Sequence, residues 1–416
     1  MPKVERVSSV DILRGIVMAT MIFVNCGYFN SPWWSMHYKS GGDGITYVDL
    51  VFPGFLFLAG VAIPLAFERY EKSWKGRGLN LFHVIYRATT LMIMGVLYVN
   101  TSPDVEKMGL TYRWWLIIPL LLIFMVWHQY RGDNRIGRWV SNVIKLFGIA
   151  GLLWYFSYYQ SPDGSGLQAS WWGILGLIGR SYLIASLFYM VIGRRTELLM
   201  FAVLLMTLIH IVSFGGGLNE WWYLGVGAPV SIFWGQGSVT MLGVVCGAKL
   251  LEVQRAVQDR ESRHAELLRF FIIFAILSFI SGEVLHKLYG IHKDSTFPAY
   301  VYTSVGYTVL IWILVYLVSD IKGINNMVTR FFMQVGSVPL TAYVMSSLLN
   351  KLLTEIPLCG KTVFYWLFRS LGPLASDSGG PLWLAQWLGA LQTVFFVIVV
   401  CLICIGLKRV KIYLKI

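Results

Sequence analysis

Charge is scarce in this chain of 416 residues. Asp, Glu, Lys and Arg make up 13% of it, about half the ~25% of an ordinary soluble domain. Cysteine is scarce too, and odd in number: Cys26, Cys246, Cys359, Cys401 and Cys404. An odd set gives no disulfide framework. The Cys401 and Cys404 pair sits in an apolar run without a second such pair or a nearby His, so neither metal nor redox use is expected. The chain shows no sequence repeat, no two-fold internal symmetry and no stretch that reads as a soluble domain. No cleavable signal peptide is expected, because the first apolar run leads into a polar loop and not into a small-residue cleavage site. Acid is poorer than base, 21 residues against 34, for a formal charge of +13. In a soluble chain that balance would suggest nucleic acid. Here the basic residues collect in loops between apolar runs, as cytoplasmic loops do, and no nucleic-acid partner is expected.

What remains is apolar and aromatic: 56% hydrophobic residues, with 17 Trp and 22 Tyr. A helix needs about 20 apolar residues to cross a bilayer, and about twelve such runs can be marked. Their limits are 12–29, 46–67, 81–100, 113–129, 139–159, 171–192, 196–214, 229–250, 267–289, 299–319, 329–353 and 383–407. The fourth and seventh are short and the eighth is broken by Gly, so the range is ten to twelve. The fold class is an all-α polytopic membrane protein, with residues 1–416 as a single transmembrane domain in a lipid bilayer. Arg and Lys cluster in alternate loops, around Arg69 to Arg77, Arg131 to Arg138, Arg194 and Arg195, Arg255 to Arg269, and the tail from Lys408. By the positive-inside rule both termini are cytoplasmic and His37 faces outward. The loop 249–269 is expected to form a surface helix linking two halves. The aromatic stretch within 354–382 is expected to be interfacial or re-entrant.

One stretch stands apart: NCGYFNSPWWSMHYKSGGDGITYVDLVFPGFLF, from Asn25 to Phe57. A first apolar helix ends in it, a Gly- and Trp-rich loop follows, and a second apolar helix begins. Polar and titratable groups are costly at a membrane and mark functional sites there. Three pieces, SVDILRGI (9–16), FVNCG with His37 a dozen residues on, and GITYVDLVFPGFLFLAGVAI (44–63), together resemble the heparan-alpha-glucosaminide N-acetyltransferase family in its bacterial branch. Weaker echoes follow. GILGLIGRSYL (173–183) has Gly179 where the family has Gln, GQGSVTMLGVVCGAKL (235–250) lacks a preceding acidic motif, and HKDSTFPAY (292–300) is similar to a Lys-containing loop. The similarity is strongest over residues 1–100. The stretch 101–170 carries an extra helix pair relative to the animal enzyme. The resemblance implies acetyl-CoA as cytoplasmic donor, an amino sugar or glycan as acceptor on the far side, His37 as catalytic residue and Asn25 as its assistant. It also suggests a homodimer and, without the animal enzyme's large luminal domain, a bacterial inner membrane.

The residues can be read on their own as well. Acyl transfer from a thioester needs a base for the incoming nucleophile and donors for the oxyanion. His37 suits the first task and Asn25, at the end of the first helix, the second. Asp49 orients the imidazole, holds the sugar, or caps the second helix. An interfacial His wetted by headgroups is the bland alternative for His37. Trp33 and Trp34 share its loop and, with Lys293, are candidate acceptor contacts; Lys293 is otherwise an interfacial lysine whose stem snorkels. Asp11 and Arg14 enter with the first helix as cap and anchor, or Arg14 meets a CoA phosphate. Arg87 near a helix end and Arg180 at depth are the other donor candidates, with a structural ion pair as the alternative for Arg180. His210, Glu283 and His286 lie toward outer helix ends, and Glu283 and His286 share a face as a titrating site or a packing pair. His128 and His264 are expected to be solvated. The rival function is a secondary transporter for a sugar or small solute, which would be expected to show paired broken helices in two related halves.

Overall fold

The computed structural model describes residues 7–26, 36–68, 74–130, 134–170, 172–214, 230–294, 296–358, 361–362 and 382–416. These residues form helices with very little strand. Helix α1 is Ser8–Asn25. A 3-10 turn, Tyr47–Leu50, leads into α2, Val51–Phe67. There follow α3, Trp74–Val99, the single turn α4, Val105–Met108, α5, Tyr112–Trp127, and α6, Arg135–Tyr158. Next come α7, Gly173–Ile192, α8, Thr196–Phe214, α9, Val230–Ala256, and α10, Arg260–Tyr289. The last are α11, Pro298–Tyr316, α12, Met327–Gly336, α13, Pro339–Glu355, and α14, Leu382–Arg409.

Among the described residues nine helices are long and apolar enough to cross a membrane, or ten if the bent pair α12 and α13 is one span. The architecture is that of an all-α polytopic membrane protein, with fewer than the twelve expected spans found among the described residues. The expected span at 113–129 becomes α5, only 16 residues long. The span at 229–250 becomes α9, which at 27 residues is about 40 Å long yet is not apolar enough to be counted with the nine. Its middle is almost wholly buried by protein, so it needs no lipid-compatible face. The run at 329–353 is broken by an 87° bend ahead of Pro339, whose ring suits a first helical position. The expected surface helix at 249–269 does not stand alone. Its residues extend α9 and open α10, where the Asp259 side chain accepts from Ser262 N at 2.8 Å.

The chain forms two compact units. The first comprises Met1–Val17, His37–Gly95 and Ala169–Met333. Its centre is the contact of α2 with α9, made possible by glycine. A Cβ on Gly60 would stand 1.9 Å from the Thr240 carbonyl oxygen, and one on Gly243 would stand 2.0 Å from that of Phe57. Only small residues allow transmembrane backbones to come so close. Beside this seam Trp312 is fully buried, with ring centroids 4.5 Å from Phe271 and 6.1 Å from Phe57. Its indole N–H donates to Ser9 Oγ at 3.0 Å. At that end Asp320 caps α1, accepting from the backbone N–H groups of Ser8 and Ser9, each at 2.9 Å. Apolar side chains of α8 and α10 such as Phe201, Leu204, Ile276 and Ile280 face outward, as lipid contact requires.

The second unit comprises Met18–Met36, Val96–Gln168 and Gln334–Ile416. Trp115 of α5 stacks on Trp154 of α6 at 5.5 Å. Strand β1, His128–Tyr130, pairs antiparallel with a strand at Ile412–Leu414. His128 is not solvated, contrary to expectation: it is buried, and its Nε2 lies 2.8 Å from Ser141 Oγ. His264, in the first unit, likewise has a partner, the Tyr316 hydroxyl at 2.7 Å from its Nδ1.

Candidate active site

Two loops of the first unit come together where α2 begins and α10 ends. One runs from His37 to Thr46, the other from Gly290 to Phe297, with Ser295 outside the described residues. Backbone and side chains tie them: Gly44 N donates to Ile291 O at 3.0 Å, Ile291 N to Asp43 Oδ1 at 2.7 Å, and Ser40 Oγ to Asp294 Oδ2 at 2.8 Å.

His37, Asp49 and Lys293 meet at this junction. Asp49 is 1% exposed, in the 3-10 turn ahead of α2. Its Oδ2 accepts from Tyr38 N at 3.1 Å, Thr46 N at 2.9 Å and Thr46 Oγ1 at 3.1 Å. Thr46 and Asp49 thus form a capping box, so the capping reading of Asp49 and a role toward His37 coexist. Its Oδ1 lies 2.7 Å from His37 Nδ1. The Tyr300 hydroxyl donates to the Asp49 carbonyl at 2.6 Å. A buried carboxylate is tolerable only when its oxygens are satisfied in this way. The His37 side chain is half exposed. Lys293 Nζ stands 2.8 Å from His37 Nδ1 and 3.3 Å from Nε2, and 3.6 Å from Asp49 Oδ1. Nδ1 cannot both donate to Asp49 and accept from Lys293. Assigned by its shorter contact, the ring carries its proton on Nδ1 and leaves the Nε2 lone pair for chemistry. Burial holds the Lys293 ammonium below the usual lysine range, against the opposing pull of Asp49 and Asp294.

Lys293 is presented by a strained turn. Thr296 N donates to Lys293 O at 2.8 Å, Phe297 N to His292 O at 3.1 Å, and Thr296 has φ of 50°. A β-branched residue in that region costs about 1–3 kcal/mol and persists only where its surroundings hold it. Beside the turn lies an open recess of about 510 Å³ lined by Ser40, Asp43, Tyr289, His292, Asp294 and Phe297, among others. Each carboxylate there is anchored through one oxygen. The Ile291 backbone N–H holds the Asp43 carboxyl below the usual range, aided by His286.

Of the remaining expected residues, Arg14, Arg87 and Arg180 stand on α1, α3 and α7. Asn25 ends α1, exposed, within the second unit. Trp33 and Trp34 lie outside the described residues. Arg14 pairs with Asp11 at 3.2 Å. Arg87 lies 4.8 Å from the Tyr182 ring centroid, and its Nε has no hydrogen-bond partner among the described residues. Arg180 is 2% exposed, 5.1 Å from the Phe233 ring. Glu283 and His286 do not work as a pair. Glu283 faces Lys287 at 3.9 Å, while His286 Nε2 lies 2.9 Å from Asp43 Oδ1. Asp43, Thr46, His292, Asp294 and Tyr300 were not singled out by the sequence, although all five lie inside quoted motifs or the focal stretch. Among the described residues no group of three or more His, Cys, Asp or Glu is placed to hold a metal ion.

Comparison with known proteins agrees with the resemblance seen in the sequence. Residues 6–191 match a family described as a domain of unknown function, DUF5009. The mouse heparan-alpha-glucosaminide N-acetyltransferase is 29% identical over 137 residues, 30% of this chain and 20% of that protein. The human one is 30% identical over 130 residues, 28% of this chain and 19% of that protein. The chain thus covers about a fifth of the length of each curated relative, and the likeness is distant and partial.

Proposed function

We propose that this chain is a transmembrane acetyltransferase that moves an acetyl group from acetyl-CoA on the cytoplasmic side to an amino sugar or related glycan on the other. The membrane is a bacterial inner membrane, and the His37 loop faces the periplasm. The observation that carries the reading is the His37–Asp49 pair, a half-exposed imidazole oriented by a buried carboxylate at 2.7 Å. Distant similarity to N-acetyltransferases supports the reaction class.

The acceptor amine attacks the thioester carbonyl, a C–N bond forms, and His37 Nε2 takes the amine proton. The carbon–sulfur bond then breaks and the imidazolium returns a proton to the departing CoA thiolate. Asp49 fixes the tautomer and stabilises the imidazolium. Such a base contributes about 10²–10⁴ in rate. Lys293 stabilises developing negative charge, a role of about 10²–10³ for an oxyanion donor. The recess, with two carboxylates between the rings of Tyr289 and Phe297, suits a hydroxylated ring carrying a protonated amine. On the donor side, Arg87, whose buried Nε–H is unmet among the described residues, Arg180 and Arg14 are the candidate phosphate contacts.

The test is acetyl transfer by purified protein in detergent, followed by CoA release and by mass of the acetylated product across a panel of amino sugars. Acetyl-CoA should also raise the melting temperature by mass action. Release of CoA before acceptor is added would make His37 an acyl carrier, and release only with acceptor would make it a base. No transfer to any amine, with no thermal shift by acetyl-CoA, would overturn the proposal.

A further inference from the structure

Asp49 makes two separate contacts in the site. Its carboxylate meets His37, and its backbone carbonyl meets Tyr300. The second contact has a cause in the sequence. In an α-helix the carbonyl of residue 49 accepts from the N–H four positions on. That position is Pro53, which has no N–H and whose ring crowds the carbonyl four residues back. The chain instead forms a 3-10 turn over Tyr47–Leu50, and α2 starts only at Val51. The Asp49 carbonyl is thus without its helical donor, in a residue that is 1% exposed. A buried carbonyl needs a donor from somewhere. Tyr300 supplies one, its hydroxyl donating at 2.6 Å.

Tyr300 is the third residue of α11 and is 2% exposed. With Ile291 and Ala299 it forms a small buried cluster, against which Ile45 and Phe297 pack. Ile45 belongs to one loop of the site, and Ile291 and Phe297 to the other. A phenylalanine would fill the same space. What the hydroxyl adds is a bond to the turn that bears Asp49. That turn sets where the carboxylate points, and the contact with His37 Nδ1 is 2.7 Å. Hydrogen bonds weaken steeply as distance and angle depart from such values. A small slip of the turn therefore frees the imidazole.

We infer that Tyr300 is a positioning residue for the His37–Asp49 pair: its hydroxyl stands in for the N–H that Pro53 lacks and so fixes the turn that aims Asp49 at the imidazole. The inference rests on the proposed function only in taking that pair as the catalytic one.

A double variant tests it, because the missing donor can be returned from within α2. Tyr300→Phe keeps the ring and removes the hydroxyl. It should lower kcat for acetyl transfer by about tenfold, the effect of leaving one buried carbonyl without its donor, with KM for acetyl-CoA unchanged. Pro53→Ala places an N–H four residues after Asp49. Added to Tyr300→Phe, it should restore the rate to within about threefold of wild type, since one hydrogen bond replaces another. A loss due to altered packing of α11 would not be repaired on α2.

A second readout does not depend on transfer. Nitrogen NMR of the histidine rings, at a pH where they are neutral and with His37→Ala to assign the signal, shows which nitrogen of His37 carries the proton. Wild type should carry it on Nδ1, which faces Asp49. Tyr300→Phe should show the two tautomers mixed, and the double variant should return to Nδ1. The inference is overturned if the ring signal is the same in wild type and Tyr300→Phe, or if the double variant is as impaired as Tyr300→Phe. If the wild type transfers acetyl to nothing, the proposed function fails while the ring signal still decides the role of Tyr300.

Discussion

His37 Nδ1 and Asp49 Oδ1 lie 2.7 Å apart, and the second Asp49 oxygen is held by three donors from Tyr38 and Thr46. The carboxylate therefore cannot turn away from the ring without breaking its own cap. This makes a sharp expectation for Asp49→Asn. An amide oriented by the same donors would keep its oxygen toward Thr46 and point its NH₂ at Nδ1. The imidazole would then carry its proton on Nε2 and could not take one from the acceptor. Asp49→Asn should thus lose transfer by about 10²-fold or more, as His37→Ala should. Acetyl-CoA affinity should stay unchanged in both. Transfer by Asp49→Asn within a few-fold of wild type would remove the tautomer argument.

How much of this was visible in the sequence depends on the distance over which each feature is encoded. Apolar runs mark helices locally, so α2, α6, α7 and α11 were legible within a few residues. The DLVFP run and the HKDSTFPAY loop marked Asp49 and Lys293 by resemblance. The burial of α9 was not legible, because Gly60 and Gly243 act on backbones far away in the chain. The partner of His286 was not legible either. Glu283 shares its helix, while Asp43 is 243 residues distant and is brought in only by the meeting of two loops. Thr296 gave no signal at all, since nothing in STFP demands the left-handed threonine that forms there.

Asp43 gives a pH expectation. Its folded pKa lies below the ordinary 3.8, chiefly through the Ile291 N–H bond. A depressed carboxyl contributes stability that is fully present above the unfolded value and is lost as pH falls through the folded one. The tie between the two loops should therefore hold at neutral pH and weaken only below about pH 4. Hydrogen exchange at the Ile291 amide should keep its protection down to that range in wild type. In Asp43→Asn protection should be weaker and independent of pH between 3 and 6. Equal protection in the two proteins would mean that the bond does not hold the loops.

Orientation is tested by accessibility. Cysteine placed singly at Ser40 or Ser262 in a background freed of native cysteine should react differently with a membrane-impermeant thiol reagent on intact cells. Ser40 lies in the candidate active-site loop and Ser262 in the first turn of α10. The loop charges place Ser40 outside and Ser262 inside, so only the first should be labelled. The reverse pattern would put His37 on the side of the donor and would require a different route for the acetyl group.

The α2–α9 seam gives the last expectation, and it concerns the scaffold of the site. Gly60→Ala puts a methyl carbon where the Thr240 carbonyl oxygen is 1.9 Å away, and the obstacle is backbone, which cannot swing aside. The two helices must separate, and overpacking of this kind costs about 1–3 kcal/mol or more. α2 carries the Asp49 turn at its start, so separation also shifts the carboxylate from His37. Gly60→Ala should lower the melting temperature in detergent and reduce transfer together. Gly406→Ala is the control: no heavy atom lies within 4 Å of its Cβ position. Alanine also favours a helix over glycine by about 1 kcal/mol. That variant should melt no lower than wild type. Equal melting temperatures for Gly60→Ala and wild type would mean that α2 and α9 do not pack through their glycines.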